Sequence, residues 1–377
     1  MFDFETVIPR AGTGCIKFDR KPGLDPFWVA DMDFVSPPCV LQALHERVNH
    51  GVFGYPQAHD GLVDAVKTYL STRHQVDVQE QDIVHLGGLV PAKSLACRAF
   101  AKPGEAVLTC TPVYPPFLGV HKDGGLDLIT TDHIQVDGRW TFDWDAMEDA
   151  VTPATKIFLL CNPQNPLGRV FTEAEVLQVA EFCERHDLVL ISDEIHCDLI
   201  LNEEETPFFS AARLPEKFRS RLVVLLSPSK TYNIAGLGYA YALIFDDSLR
   251  RRYSQARGHT LAEINCLAFY AAEAAYKDGE AWRQELLQVL RKNYETLRSF
   301  VEERMPAVTT TRMEATYLMW MDCRQLELPN PADHFEKEAG LFLSDGTFFG
   351  AAGHVRFNFA CPHSRVLEGL EKMAAAL

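Results

Sequence analysis

Lys230 closes the run "RLVVLLSPSK", with two serines just before it and glycine and alanine just after. A surface lysine needs no such company. A lysine that must shed its proton and add to a carbonyl does, because burial disfavours the ammonium form. Asp193 and Glu194 follow "LVLIS". An acid at the end of so apolar a run is either paired or functional. Asn162 and Asn165 follow "IFLLC" inside "NPQNPLG". Each asparagine precedes a proline, so an extended, rigid loop is expected. "HLGGLV" places Gly87 and Gly88 where a strand would turn into a helix. Free backbone N–H groups at such a turn suit a phosphate.

Together these residues predict one cofactor. An aldehyde that forms a Schiff base needs an amine, Lys230. A pyridine nitrogen that must stay protonated needs a carboxylate, Asp193. A ring oxygen needs a donor, Asn165. A phosphate needs a helix N-terminus and hydroxyls: Gly88, Leu89 and Val90 by backbone, Ser227 and Ser229 by side chain. That set describes a site for pyridoxal 5'-phosphate.

The elements that must hold these groups alternate along the chain. "EAVLTC", "TKIFLLCNP", "LVLISDEI" and "RLVVLLSPSK" read as strands, and "EAEVLQVAEFCERHD" as an amphipathic helix. Strands apolar throughout, separated by helices, predict an α/β fold with a mostly parallel sheet covered by helices, whose ligands gather at the strand carboxyl ends. "EAWRQELLQVLRKNYETLRSFVEER" has few breakers and predicts one long connecting helix. "TYLMWMD", "HFEKEAGLFL" and "HVRFNFACP" then predict a smaller α+β unit.

Composition narrows the classes. The 377 residues suggest two domains, and a net charge of -16 repels phosphate backbones, so no nucleic-acid partner is expected. No apolar stretch approaches the roughly 20 residues that span a bilayer, so no membrane association is expected. "MFDFETVIPR" has no apolar core of a signal peptide. Ten scattered cysteines form no C-x-x-C pair, which argues against a zinc or redox motif and for a reducing cytoplasm. No metal site is expected.

"WVADMDF", "FGYP", "TPVYPPF", "NPQNPLGRVF", "SDEIHCDLI", "SPSKTYNIAGL" and "VRFNFACP" follow one another in order over nearly the whole chain. In these motifs the chain resembles a fold-type I pyridoxal-phosphate enzyme of the aminotransferase class I/II superfamily, and more narrowly the MalY/PatB branch of cystathionine β-lyases (C–S lyases). The resemblance implies an aspartate-aminotransferase-like, three-layer α/β/α large domain and a smaller α+β domain. Residues 46–285 are expected to form the first, and 1–45 with 286–377 the second.

The resemblance also implies roles. Lys230 would carry the cofactor, Asp193 would meet its ring nitrogen and Asn165 its hydroxyl. Tyr114 would stack on the ring and assist catalysis. Tyr55 would reach the phosphate of a neighbouring subunit, which implies a homodimer with shared active sites. Arg356 would grip the substrate α-carboxylate with a two-pronged fork, assisted by Asn165. Many aminotransferases carry a tyrosine three residues after the aspartate; His196 stands there instead, as in the C–S lyase branch. The implied reaction is α,β-elimination of L-cystathionine or cysteine-type substrates to a thiol, pyruvate and ammonia. The alternatives are an aminotransferase on the same scaffold and a partner-binding regulatory protein. Asp31 and Asp33 have no chemical task in sequence, and a structural role near the site mouth is expected.

Overall fold

Unbroken apolar runs become strands buried on both faces in this protein, whose computed structural model describes residues 2–259 and 261–377. The strands are β1 (Ile83–Leu86), β2 (Ala106–Thr111), β3 (Asp127–Val136), β4 (Arg139–Phe142), β5 (Thr155–Cys161), β6 (Val189–Asp193), β7 (Leu222–Leu226) and β8 (Ala240–Leu243). They form one eight-stranded sheet in the order β1-β8-β7-β6-β5-β2-β3-β4. Pairing is parallel from β7 through β3. β8 runs antiparallel to both its neighbours, and β4 turns back on β3 as a hairpin.

The principal helices are α1 (Pro38–His50), α2 (Asp60–His74), α3 (Leu89–Phe100), α4 (Glu173–Arg185), α5 (Asp247–Arg257), α6 (Cys266–Asp278), α7 (Glu280–Arg304), α8 (Pro331–Ala339) and α9 (His363–Ala375). Alternate strand residues point to opposite faces, and each face has its own core. Phe158, Leu160, Leu190, Val224 and Leu226 pack under α2, α4 and α6. Ile157, Leu159, Ile191, Val223 and Leu225 pack under α3 and α5. The result is the expected three-layer α/β/α arrangement.

The long helix is α7, with Trp282, Leu286, Leu290, Leu297 and Val301 on its buried stripe. It leads to a four-stranded antiparallel sheet of β9 (Thr309–Thr310), β10 (Leu318–Asp322), β11 (Ser344–Asp345) and β12 (His354–Asn358), in the order β9-β10-β12-β11. The chain start joins this unit: Phe27 stacks on Phe357 with ring centroids 4.3 Å apart, and Phe4, Met32 and Phe34 enter the same core. The boundary expected at 285/286 falls inside α7, where Trp282 and Leu286 already pack against that core. Among the described residues no helix is long and apolar enough to cross a membrane.

Candidate active site

Three adjacent parallel strands end at one edge of the large sheet. Cys161 of β5 lies opposite Asp193 of β6, which lies opposite Leu225 of β7. The loops that follow therefore bring Asn165, Asp193 and Lys230 together. Asp193 is buried at the strand end, whereas the next carboxylate turns away. Glu194 accepts hydrogen bonds from Ser192 Oγ, Ser210 Oγ and the Ala211 N–H at 2.6–2.9 Å. Burial still pushes its carboxyl up to about 7. The "NPQNP" segment is buried but turns instead of running extended as expected, with cis peptides before Pro163 and Pro166. Gln164 spans it, donating to the Pro112 carbonyl (2.6 Å) and accepting from the Leu167 N–H (2.8 Å).

Lys230 stands where two cavities meet. One, of about 240 Å³, is lined by Gly87–Val90, Asp193, His196 and Ser227. The other, of about 540 Å³, is lined by Trp28, Ser344, Phe349 and Arg356, and both include Ala30, Tyr114 and Lys230. Lys230 Nζ donates to the Ala30 carbonyl, which also accepts from the Tyr317 hydroxyl at 3.1 Å. The chain start is pinned to present that carbonyl. Asn233, in the Lys230 loop, binds the Met32 N–H and the Met32 and Phe34 carbonyls at 2.8–3.1 Å. Asn358 donates to the Val29 and Asp31 carbonyls. Asp31 and Asp33 pair with Arg10, and Asp33 also with Lys17. These ion pairs are the structural role near the site expected of the two aspartates.

Burial lowers the Lys230 ammonium to about 8, with Arg356 and Lys93 pushing the same way and Asp31 and Asp193 opposing. About a tenth of the amine is then neutral at pH 7, far more than for an ordinary lysine. Covalent capture of added pyridoxal phosphate, trapped by borohydride, should speed up about tenfold per pH unit and level off above pH 8. A rate still climbing at that slope near pH ~10 would show an unperturbed amine.

Arg356 comes from β12 and lies across from Trp320 and Ser344 in the small sheet. It is 3% exposed. Its guanidinium donates to Asn165 Oδ1 (2.9 Å), the Trp28 carbonyl (2.7 Å) and Ser344 Oγ (3.3 Å), above the Phe349 ring at 4.8 Å. Among the described residues no carboxylate pairs with it, and Nε has no hydrogen-bond partner. Burial pushes it down to about 10. A buried cation held only by neutral groups is a receptor for an anion. Because Asn165 turns its oxygen to Arg356, its amide N–H₂ is the end left for a ring oxygen.

Gly88 caps α3, so the first N–H groups of that helix, at Leu89 and Val90, have no partner within the helix. A Cβ at Gly87 would meet nothing within 4 Å, leaving space for a phosphate. Gly238 has φ +69°, and a Cβ there would stand 3.1 Å from the Gly87 carbonyl, so only glycine lets β8 start so close. Ser227 Oγ donates to the Tyr239 carbonyl (2.6 Å) and accepts from the Ser229 N–H (3.1 Å), so its hydroxyl proton is already committed. Ser229 lines the cavity. His196 is buried with an unpartnered Nδ1, and burial plus the nearby Lys230, Arg356 and Lys93 hold its imidazole neutral. Open glycines, a helix N-terminus, a low-affinity amine, a buried carboxylate and an unpartnered ring nitrogen fit pyridoxal phosphate. Tyr55 lies outside both cavities and is fully exposed.

Sequence reasoning missed the Ala30 carbonyl, Tyr317, Asn233 and Lys93. The last left a signal: Leu89, Ala92, Lys93, Ala96 and Phe100 form the buried stripe of α3, so helical spacing puts a cation on an apolar face. Lys93 Nζ forms an ion pair with Asp193.

Residues 29–373 match the family described as aminotransferase class I and II. Cystathionine β-lyase PatB of Bacillus subtilis (strain 168) is 34% identical over 389 residues, covering 100% of both chains. The crystal structure of OvoB superposes with a TM-score of 0.96 at 36% identity, over 100% of this chain and 99% of that one. Cystalysin from Treponema denticola, whose crystal structure contains pyridoxal 5'-phosphate, superposes with a TM-score of 0.95 at 31% identity, over 100% and 98%.

Proposed function

The chain belongs to the aminotransferase class I and II family, and from that premise we propose that it is a pyridoxal-phosphate-dependent carbon–sulfur β-lyase. Its substrates are L-cystathionine and cysteine-type thioethers, and its products a thiol, pyruvate and ammonia. The observation that carries the reading is the meeting of two cavities at Lys230, one ending in a phosphate cradle and the other in a buried guanidinium without an acidic partner. An amino acid held by its carboxylate at Arg356 delivers its amine and Cα to Lys230.

Bound pyridoxal phosphate supplies a carbonyl that holds the substrate amine and a conjugated ring that takes up electrons from Cα. The protein does the rest. Lys230 holds the cofactor, then takes the Cα proton as a general base. Asp193 keeps a proton at the ring nitrogen. Asn165 donates to the ring hydroxyl while its oxygen steadies Arg356. Tyr114, which lines both cavities, would stack on the ring. Gly88, Leu89 and Val90 would bind the phosphate through backbone N–H groups, with Ser229 beside them and Ser227 shaping the turn. The neutral His196, with its unpartnered Nδ1, lines the same cavity and would stand beside the cofactor. The Cβ–S bond then breaks, the thiolate takes up a proton, and the enamine released hydrolyses to pyruvate and ammonia.

Purified protein with pyridoxal phosphate should release pyruvate from L-cystathionine without any added keto acid. Turnover that depends strictly on a keto-acid acceptor would establish the aminotransferase instead. Tyr55 is best explained by a homodimer in which it completes the partner's phosphate site. Exposed Val52 and Phe53 precede it in the chain, and the Arg47 guanidinium lies over the rings of Phe53 and the exposed Tyr270. A sedimentation mass of one chain would refute the shared site. Ten free thiols suit a reducing cytoplasm, a placement that cell fractionation checks.

A further inference from the structure

The carboxylate assigned to the ring nitrogen is already shared. Lys93 and Asp193 face each other with side chains 1% and 3% exposed, and Lys93 Nζ contacts Asp193 Oδ2. The other oxygen, Oδ1, accepts from the Ile195 N–H at 3.2 Å. Lys93 is the fifth residue of α3 and lies on its buried apolar face. Asp193 and the faces of Phe117 (4.6 Å) and Tyr114 (5.9 Å) hold it there. An apolar residue would fill this stripe of α3 at no such cost, so the charge itself needs a reason. Lys230 and the neutral His196 line the same cavity as the pair, and the charges of Arg356 and Asp31 also reach Lys230. Two cations, Lys93 in contact and Lys230 nearby, therefore act on one buried carboxylate inside the site.

We propose that Lys93 is a positioning residue that draws on the Asp193 carboxylate and so loosens the proton on the ring nitrogen of the bound cofactor. This rests on the reading of the site as one for pyridoxal phosphate. A carboxylate serving the ring alone makes a deep electron sink, in which the pair left at Cα is long-lived. A carboxylate divided between two cations makes a shallower one. The pair at Cα then goes to break the Cβ–S bond instead of waiting on the ring for a misplaced proton. The sulfur leaves with the electrons of that bond, and the Cα=Cβ bond forms from the pair at Cα. Lys93 thus biases the site toward elimination.

The experiment is nitrogen NMR of cofactor labelled at the ring nitrogen, followed against pH in the holoenzyme. Lys93→Met and Lys93→Gln should each keep the ring proton to a pH about one unit higher than the wild type. Lys93→Arg, which preserves the charge, should titrate with the wild type. The Gln variant retains a hydrogen bond to Asp193 and keeps the test standing if the Met variant does not fold. Coincident titrations in wild type and the neutral variants would overturn the proposal, as would the same shift in Lys93→Arg. If the wild type takes up no cofactor at all, the functional reading falls first and this one with it.

Discussion

Lys230→Ala should abolish covalent attachment of pyridoxal phosphate and lower kcat for pyruvate release by about 10⁴-fold or more, since one amine serves as both anchor and base. The substitution leaves no acceptor stranded, because the Ala30 carbonyl still accepts from the Tyr317 hydroxyl at 3.1 Å. It also removes a cation whose burial is unfavourable, as its depression to about 8 shows. The variant should therefore fold, which a thermal melt checks. Added small primary amines should restore part of the rate, more at higher pH, where more of the amine is neutral. Borohydride-treated wild type should carry the cofactor on the peptide that contains Lys230, and the variant none. If the variant turned over L-cystathionine within tenfold of the wild type, another group would be the base and the reading would fail.

Arg356→Lys carries the second large effect. A single ammonium cannot reproduce a guanidinium that is fixed by Asn165, the Trp28 carbonyl and Ser344 while offering the rest of its fork to a carboxylate. Losing one partner of a desolvated, hydrogen-bonded charge pair costs about 2–5 kcal/mol. A fall in kcat/KM of about 10²–10³ follows, with most of it in KM if the contact is made in ground and transition states alike. The stability of the free protein should hold, because the guanidinium lies buried with no acid to balance it. Substrates whose α-carboxylate is replaced by an amide should lose little further on the variant. An unchanged KM, or a melting loss large enough to account for the activity, would remove Arg356 from substrate binding.

The sequence was most legible where function and local pattern coincide. Lys230, Asp193 and Asn165 each end an apolar run, and the strand–helix alternation makes those runs parallel neighbours, so their ends share one edge. α7 was readable over Glu280–Arg304 for a similar reason: its period is unbroken and no proline interrupts it. The loops were less legible. "NPQNP" announces two rigid positions, but whether the segment extends or turns depends on Gln164 and the Pro112 carbonyl it binds 52 residues away.

Sequence alone indicated the main elements and the cofactor class, because period, turn chemistry and motif order act over a few residues. Tertiary structure decided what each group can do. It turned Glu194 to Ser210 and left Asp193 for the cavity. Among the described residues it left Arg356 without an acidic partner, and it committed the Ser227 hydroxyl to Tyr239 and brought Ala30 across 200 residues to Lys230. It set Lys93 against a carboxylate 100 positions further along the chain. Charge and hydrogen-bond balance inside a protein depend on which strand ends adjoin, and no local pattern encodes that.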